Sequence, residues 1–413
     1  MTWAYLPVLN TLLQVLATIA IGALCGVLGV LKPDEFVPQA VRFVFYIALP
    51  CLVTKGIGVG IDFYSEKNIW SYIVAFLILR AIALALAIAV VLFNNWREKR
   101  RRDVADVAVL WLTLTWISTV IMGVPISSAV FGDPKLGQKY GILAGISSFI
   151  FQLPLQLMFL ECHATETHAR GNQVHVNSSP QEKIENGKSN VDVTIQVTPD
   201  TSLTRHNKNA TIEEEEEEQI SIKWWSLVHG EQISSARLWG KVGIRILKNP
   251  VLWGIFCGFV LSLSTAGKYL RCPSETCIEG LAWISLTLTW LGQAVSPVSL
   301  FAMGLWMHGQ GTRKLFAVSL PKLSMFMISK LIIVPLIMVG LASAMRLNDE
   351  QGRAAILIAT LPISLASFSL GRQYQIGEAD LAANVACGTL LMLPTVLVWN
   401  ILLDKAGLYQ IAA

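Results

Sequence analysis

Residues 110–133 read LWLTLTWISTVIMGVPISSAVFGD, and this stretch decides how the chain folds. It is apolar and long enough to cross a bilayer, yet Gly123 and Pro125 lie in its middle. Because proline removes a backbone donor and clashes with the preceding turn, we expect the helix to kink or break there. Broken backbone at membrane depth must face protein or a water-filled cavity, and many transporters build a substrate site in this way.

A second stretch, residues 355–375, repeats the pattern as AILIATLPISLASFSLGRQYQ. Each proline has hydroxyl side chains nearby, which could instead bond their own backbone in a lipid-adapted kink. The recurrence favours two broken helices that cross at the midplane. The predicted substrate-binding residues are Ser118, Pro125, Ile126, Ser127, Pro362, Ser364 and Ser367.

Composition sets the class of protein. Hydrophobic residues make up 54% of the chain and charged residues 15%, against about 25% charged in an average soluble domain. We therefore predict an all-α polytopic membrane protein. The net charge of +4 is small, and the basic residues lie beside membrane segments, so nucleic acid is not an expected partner. The sequence shows no zinc spacing, nucleotide-binding loop or catalytic triad, so we expect no metal, no cofactor and no enzyme activity.

The hydropathy pattern predicts ten membrane segments. They cover about 6–31, 36–58, 70–93, 110–133, 140–161, 251–266, 281–307, 315–345, 355–375 and 381–403. Five lie in residues 1–161 and five in residues 249–413, and an odd number per half makes the halves inverted repeats. Prolines recur in the same order in both halves: Pro50, Pro125 and Pro154, then Pro297, Pro362 and Pro394.

Basic residues set the predicted orientation. The loop WREKRRRD at residues 96–103 belongs on the cytoplasmic side. Both termini are then non-cytoplasmic, as is the loop whose Cys272 and Cys277 could form a disulfide. Residues 162–248 form a cytoplasmic hydrophilic loop, largely disordered by composition, with an interfacial amphipathic end at 220–247.

The hydrophilic loop has two interpretations. One is a solvated tether, and the other is a phosphorylation region through which a kinase would regulate the protein. The glycosylation acceptors at Asn177 and Asn209 would stay unmodified on the cytoplasmic side.

Two basic residues lie inside predicted segments, Arg80 in the third and Lys330 in the eighth. They could bond carbonyl groups freed at the helix breaks, or hold the crossing electropositive, and the two roles are compatible. No Asp or Glu lies near the middle of any segment, which argues against cation exchange. The half-helix after each proline offers free N–H groups, which favour an anion.

The segment motifs resemble those of the auxin efflux carrier family, the PIN-FORMED and PIN-like carriers. The fourth segment carries STVIMGVP at 118–125, similar to the family's N-T-L-V-M-G-I-P, followed by a similar FGD. Further matches are KNP at 248–250, SKLIIVP at 329–335, TLP at 360–362 with Tyr374, and Gly388 with the Leu-Pro at 393–394. The resemblance covers nearly all membrane segments but not the hydrophilic loop.

This resemblance implies a scaffold of segments 1, 2, 6 and 7 and a transport domain of segments 3–5 and 8–10. It further implies an elevator motion, a homodimer, and export of indole-3-acetate or another weak organic acid, driven by the anion gradient and the membrane potential. Two positions differ: the family's carboxylate-contacting Asn is Ser118, and the acidic residue expected four positions before Arg80 is Phe76.

Two other functions stay open. A small dicarboxylate such as malate or malonate would need a second cation in the cavity, and Arg80 and Lys330 qualify only if they face it. A lipid or sterol sensor on the same fold would bind without flux. The sequence fits a plasma-membrane or endoplasmic-reticulum protein equally well.

Overall fold

The computed structural model describes residues 5–61, 63, 68–98, 104–164, 235–264, 266–270, 279–315 and 318–410. The chain divides into two compact units, Met1–Ala164 with Trp239–Ala413, and Thr165–Leu238. All that follows concerns the first unit. The predicted disulfide pair Cys272 and Cys277, the glycosylation acceptors Asn177 and Asn209, and almost all of the hydrophilic loop lie outside the described residues.

The described part is built from helices. Their bounds are α1 Leu6–Val27, α2 Pro33–Phe43, α3 Leu49–Gly58, α4 Ile69–Glu98, α5 Val104–Thr115, α6 Gly123–Phe131, α7 Pro134–Ser147, α8 Ser235–Leu247, α9 Pro250–Leu263, α10 Ala282–Gln293, α11 Val295–Leu315, α12 Leu320–Ile328, α13 Val334–Ala344, α14 Asp349–Ala359, α15 Leu365–Gln373 and α16 Glu378–Lys405. No strand of more than an isolated bridge occurs within the described ranges.

Seven helical runs are long and apolar enough to cross a membrane. They are Leu6–Val27, Pro33–Gly58, Ile69–Asn94, Pro134–Ala164, Ala282–Gly311, Leu320–Ala344 and Glu378–Lys405. Two shorter apolar helices, Ala105–Thr115 and Pro250–Leu263, accompany them. The chain therefore has the predicted class, a polytopic helical membrane protein. The count of ten segments and the inverted repeat remain predictions.

Three of the long runs contain a single wide π turn, and each turn ends two residues before a proline. Val44–Ala48 precedes Pro50, Ser148–Gln152 precedes Pro154, and Ser329–Ile333 precedes Pro335. A proline ring clashes with the carbonyl one turn earlier, and the wider turn moves that carbonyl aside. The prolines at positions 50, 154 and 335 are thus accommodated without breaking these helices.

The two ends of the chain meet at one end of the helix bundle. The Tyr5 hydroxyl donates to Asp404 Oδ2 at 2.6 Å, and Arg353 Nη1 donates to Asp404 Oδ1 at 2.6 Å. Arg353 is 4% exposed and also donates to Asn400 Oδ1 through both Nε and Nη2. A buried guanidinium paired in this way fixes α14 against α16.

Helices α1 and α11 approach each other through glycines. A Cβ added at Gly22 would lie 2.1 Å from the carbonyl oxygen of Phe301, and one at Gly304 would lie 1.8 Å from that of Ile19. Only glycine fits at such a backbone approach, which is how helices pack tightly where lipid gives no hydrophobic driving force.

We expect Gly304→Ala to lower the melting temperature of the purified protein clearly, because overpacking a tight site costs about 1–3 kcal/mol. Gly340→Ala is the matched control, since no atom lies within 4 Å of the added carbon there. Alanine is the better helix former, so this control should melt at the same temperature or higher. Equal melting of the two variants in detergent would contradict the close packing of α1 and α11.

Candidate functional site

Two helices are interrupted inside the bundle. The first break separates Thr115, the last residue of α5, from Gly123, the first of α6, and the second separates Ala359 of α14 from Leu365 of α15. The expectation that the first break lies at Gly123 and Pro125 needs correction, because Pro125 is the third residue of α6. Proline is tolerated in a first turn, where its missing N–H has no intrahelical partner. Pro362, by contrast, lies within the second break.

The two breaks cross and bond to each other. Ile117 and Ile363 form an isolated antiparallel bridge. The backbone N–H of Ser118 donates to the Pro362 carbonyl at 3.0 Å, and that of Ser364 donates to the Trp116 carbonyl at 2.8 Å. Two unwound segments thus satisfy part of each other's backbone hydrogen-bonding groups. Irregular backbone inside a membrane needs such partners, because lipid offers none.

Two helix N-termini begin beside this crossing. The Ser118 carbonyl accepts from the N–H groups of Met122 and Gly123 at 3.2 and 3.1 Å, and the Ser364 hydroxyl accepts from Ala366 N. The backbone N–H groups of Ile121 and Leu365 have no acceptor among the described residues. Free N–H groups at the positive end of a helix dipole attract an anion.

Two cavities flank the crossing. The crossing cavity has a volume of about 20 Å³ and is lined by Ala40, Val41, Val44, Phe45, Ser118, Ile121, Met122, Ser299, Ala302, Met303, Ile363, Leu365, Ala366 and Ser369. The lateral cavity, of about 30 Å³, shares Ser118 and also touches Ser364 and Ser148. Both are far smaller than a typical small-molecule site of about 300–1,000 Å³, so the helices around the crossing must separate to admit an organic anion.

The structure gathers part of the predicted site. Ser118 lines both cavities, and Ser364 lines the lateral one. Pro362 contributes its carbonyl to the crossing. Pro125, Ile126, Ser127 and Ser367 line neither cavity. The Ser367 hydroxyl is instead committed to the Ser364 carbonyl at 2.6 Å, as the alternative of serines bonding their own backbone expects.

Sequence reasoning missed two hydroxyls and several apolar walls of the crossing cavity. Ser299 follows Pro297 by two residues, and Ser369 lies on the same broken helix as Ser364. Phe45 comes from the π turn before Pro50. Counting residues at regular helical spacing from each proline could have identified these residues. A π turn shifts that spacing, so the count would give the wrong helix face near Phe45.

Arg80 is fully buried against the π turn of the run that begins with α7. Its Nε donates to Gln152 Oε1 at 3.0 Å, and its two Nη atoms donate to the hydroxyls of Ser147 and Ser148. Gln152 Nε2 in turn donates to Thr115 Oγ1 at 2.8 Å. Arg80 therefore supports the end of α5 through one intermediate side chain.

Lys330 supports the other break directly. It is 1% exposed, and its Nζ donates to the carbonyl of Ala359, the last residue of α14, at 3.1 Å. A cation at a helix C-terminus also meets the negative end of the dipole. No ion pair joins Arg80 or Lys330 to a carboxylate among the described residues. Two basic side chains therefore lie behind the crossing, although neither lines a cavity there.

Within the described ranges, no group of three His, Cys, Asp or Glu side chains lies close enough together to hold a metal ion. The geometry offers hydroxyls, backbone N–H groups and apolar walls instead.

Known proteins similar to this chain are carriers. Residues 7–400 match the family described as membrane transport protein. Auxin efflux carrier component 8 of Arabidopsis thaliana is 23% identical over 287 residues, which are 70% of this chain and 68% of that protein. Auxin efflux carrier component 3 of the same plant is 26% identical over 159 residues, 38% of this chain and 23% of that protein.

A rice protein, probable auxin efflux carrier component 5c of Oryza sativa subsp. japonica, is 26% identical over 158 residues, 38% of this chain and 40% of that protein. The relatives agree with one another in name, and the family match extends across nearly all of the membrane part. The chain therefore belongs to the auxin efflux carrier (PIN-like) family of membrane transport proteins.

Proposed function

We propose that this protein is a secondary transporter that exports auxin-like weak organic acid anions of the indole-3-acetate type. The observation that carries the proposal is the crossing of two broken helices, whose N-termini lie beside a narrow cavity lined by hydroxyls and apolar side chains. The free N–H groups of Ile121 and Leu365 and the Ser118 hydroxyl would bind the carboxylate. The anion gradient and the membrane potential would drive its export.

The cavity lining favours a monocarboxylate over a dicarboxylate. Among the described residues, no charged side chain lines the crossing cavity or the lateral cavity. A second carboxylate of malate or malonate would therefore be desolvated without a counter-charge, which is costly. The apolar walls, among them Phe45, Met122 and Met303, suit an aromatic or aliphatic body instead.

The position of the cavity supports an elevator motion. Its walls come from α2 and the following π turn and from α11 on one side, and from the two breaks on the other. These are the predicted scaffold and the predicted transport domain. In the proposed cycle the breaks and their cavity-facing groups move together past α11, while the glycine-packed pair α1 and α11 stays fixed.

The same proposal includes a homodimer formed through the scaffold, and termini on the non-cytoplasmic side. The hydrogen bond between Tyr5 and Asp404 supports placing both termini on one side. The choice between plasma membrane and endoplasmic reticulum, and regulation of the hydrophilic loop by a kinase, remain predictions.

Electrogenic flux tests the proposal. Purified protein in liposomes on a solid-supported membrane should give a saturable current with indole-3-acetate and with benzoate, because one carboxylate matches the free N–H groups of the crossing. Malate and malonate should give little current. Current with the dicarboxylates alone would move the protein to the alternative substrate class, and ligand-induced stabilisation without any current would favour a sensor.

The two prolines should differ in their effect on transport. Pro362→Ala restores an N–H and removes the restriction on the preceding residue within the second break, so we expect it to lower the flux about tenfold or more. Pro125→Ala changes a first-turn residue of α6 and should cost at most about 1 kcal/mol in stability, with most flux retained. Both are measured as initial current at matched amounts of folded protein, and wild-type flux in Pro362→Ala would mean that the second break does not need its proline.

Lys330→Met should raise the half-saturating concentration of the anion about tenfold, because it removes a buried positive charge and the donor to Ala359. Lys322→Met is the matched control, since this lysine is half-exposed and pairs with Asp380 at the end of the bundle. A normal half-saturating concentration in Lys330→Met, with normal folding, would leave Lys330 a purely structural role.

A further inference from the structure

Trp306 on α11 has a buried polar atom that nothing in the fold uses. The residue is 4% exposed, and its indole Nε1 has no hydrogen-bond acceptor among the described residues. A buried N–H without a partner is costly and rare, so its presence calls for a physical explanation.

Trp306 lies one turn beyond the α11 residues that line the crossing cavity, although it does not itself line the cavity. Ser299, Ala302 and Met303 line that cavity, and Trp306 follows them at spacings of seven, four and three residues, on the same face of α11. Its ring packs against Phe368 of α15, with centroids 4.5 Å apart and planes at 56°. Phe368 is next to Ser369, which also lines the cavity. The aromatic pair therefore lies next to residues that line the cavity, without lining it.

The pair also spans the boundary that the proposed elevator motion would cross. Trp306 belongs to the predicted scaffold and Phe368 to the predicted transport domain. In the proposed orientation α11 runs towards the cytoplasm, so Trp306 lies on the cytoplasmic side of the cavity. Ser118 lines the same cavity as Met303, and a shift of three residues along α11, about 4.5 Å, would move it towards Trp306.

We infer that the indole N–H of Trp306 donates to the carboxylate of the transported anion on the cytoplasmic side of the crossing. This inference rests on the proposed function. Indole is a donor without an acceptor, so it favours an anion and offers nothing to a cation. A hydrogen bond to a carboxylate is charge-assisted and strong, and the ring beside it can pack on an aromatic substrate.

The role makes Trp306 a specificity-determining residue for aromatic monocarboxylates. It also accounts for the unpaired N–H, which would find its partner only when the anion is bound. A tryptophan that merely fills the core would need its ring alone, and phenylalanine would then replace it without loss.

Trp306→Phe tests the inference, because it keeps a ring against Phe368 and removes only the donor. We expect the half-saturating concentration of benzoate and of indole-3-acetate on the cytoplasmic face to rise about tenfold. The melting temperature without ligand should stay unchanged or rise, since an unsatisfied donor is gone. Trp290→Phe is the control, because Trp290 is 75% exposed on α10 and should leave the current unchanged.

Wild-type saturation in a well-folded Trp306→Phe would overturn the inference. If this variant folds poorly, benzothienylalanine at position 306 replaces the N–H by sulfur in a ring of the same shape, and the same rise is expected. A wild-type protein without current would instead refute the proposed function. The role of Trp306 in anion binding would then be tested by the thermal stabilisation that benzoate gives. Equal stabilisation of wild type and variant would again overturn the inference.

Discussion

The bridge between Ile117 and Ile363 is the interaction on which the rest of the structure depends. Each side supplies one N–H and one carbonyl, so two unwound segments replace hydrogen bonds that a continuous helix would have made internally. In the low dielectric of a bundle core, leaving such groups unpaired would be expensive. The same two bonds hold Ser118 and Ser364 beside each other, and they set two helix N-termini against one cavity. The fold and the candidate site thus share a single constraint.

Prolines outside the crossing also stabilise it, because the π turns that precede them place side chains against the ends of the broken helices. The turn before Pro154 brings Ser148 and Gln152 to Arg80, and Gln152 reaches the end of α5. The turn before Pro335 contains Lys330, which reaches the end of α14. Each half of the chain therefore uses a cation and a π turn to satisfy the end of a broken helix. The inverted repeat itself stays a prediction.

The sequence predicted correctly that the protein is a helical membrane protein, because the length of its apolar segments is typical of membrane helices. It also predicted that two helices are interrupted, because Pro and Ser cluster in both of them. It misplaced the first break, since a proline marks a first turn as readily as an interruption. It could not give the partners of Arg80, because a π turn changes the helical face. It also overlooked Arg353, although Asn348 caps α14 by accepting from Gln351 N and acidic residues follow it, which are ordinary signs of a helix start.

The cluster of Tyr5, Asp404 and Arg353 has a consequence for the order of the chain. Since residues 5 and 404 are in contact, a short linker could join the two ends, and new ends could be opened in the hydrophilic loop. In such a circular permutant the second half would be synthesised before the first, and every helix of the bundle would be kept. If the halves are inverted repeats, such a permutant would exchange the order in which equivalent units insert, and its folding would show whether either half can insert first.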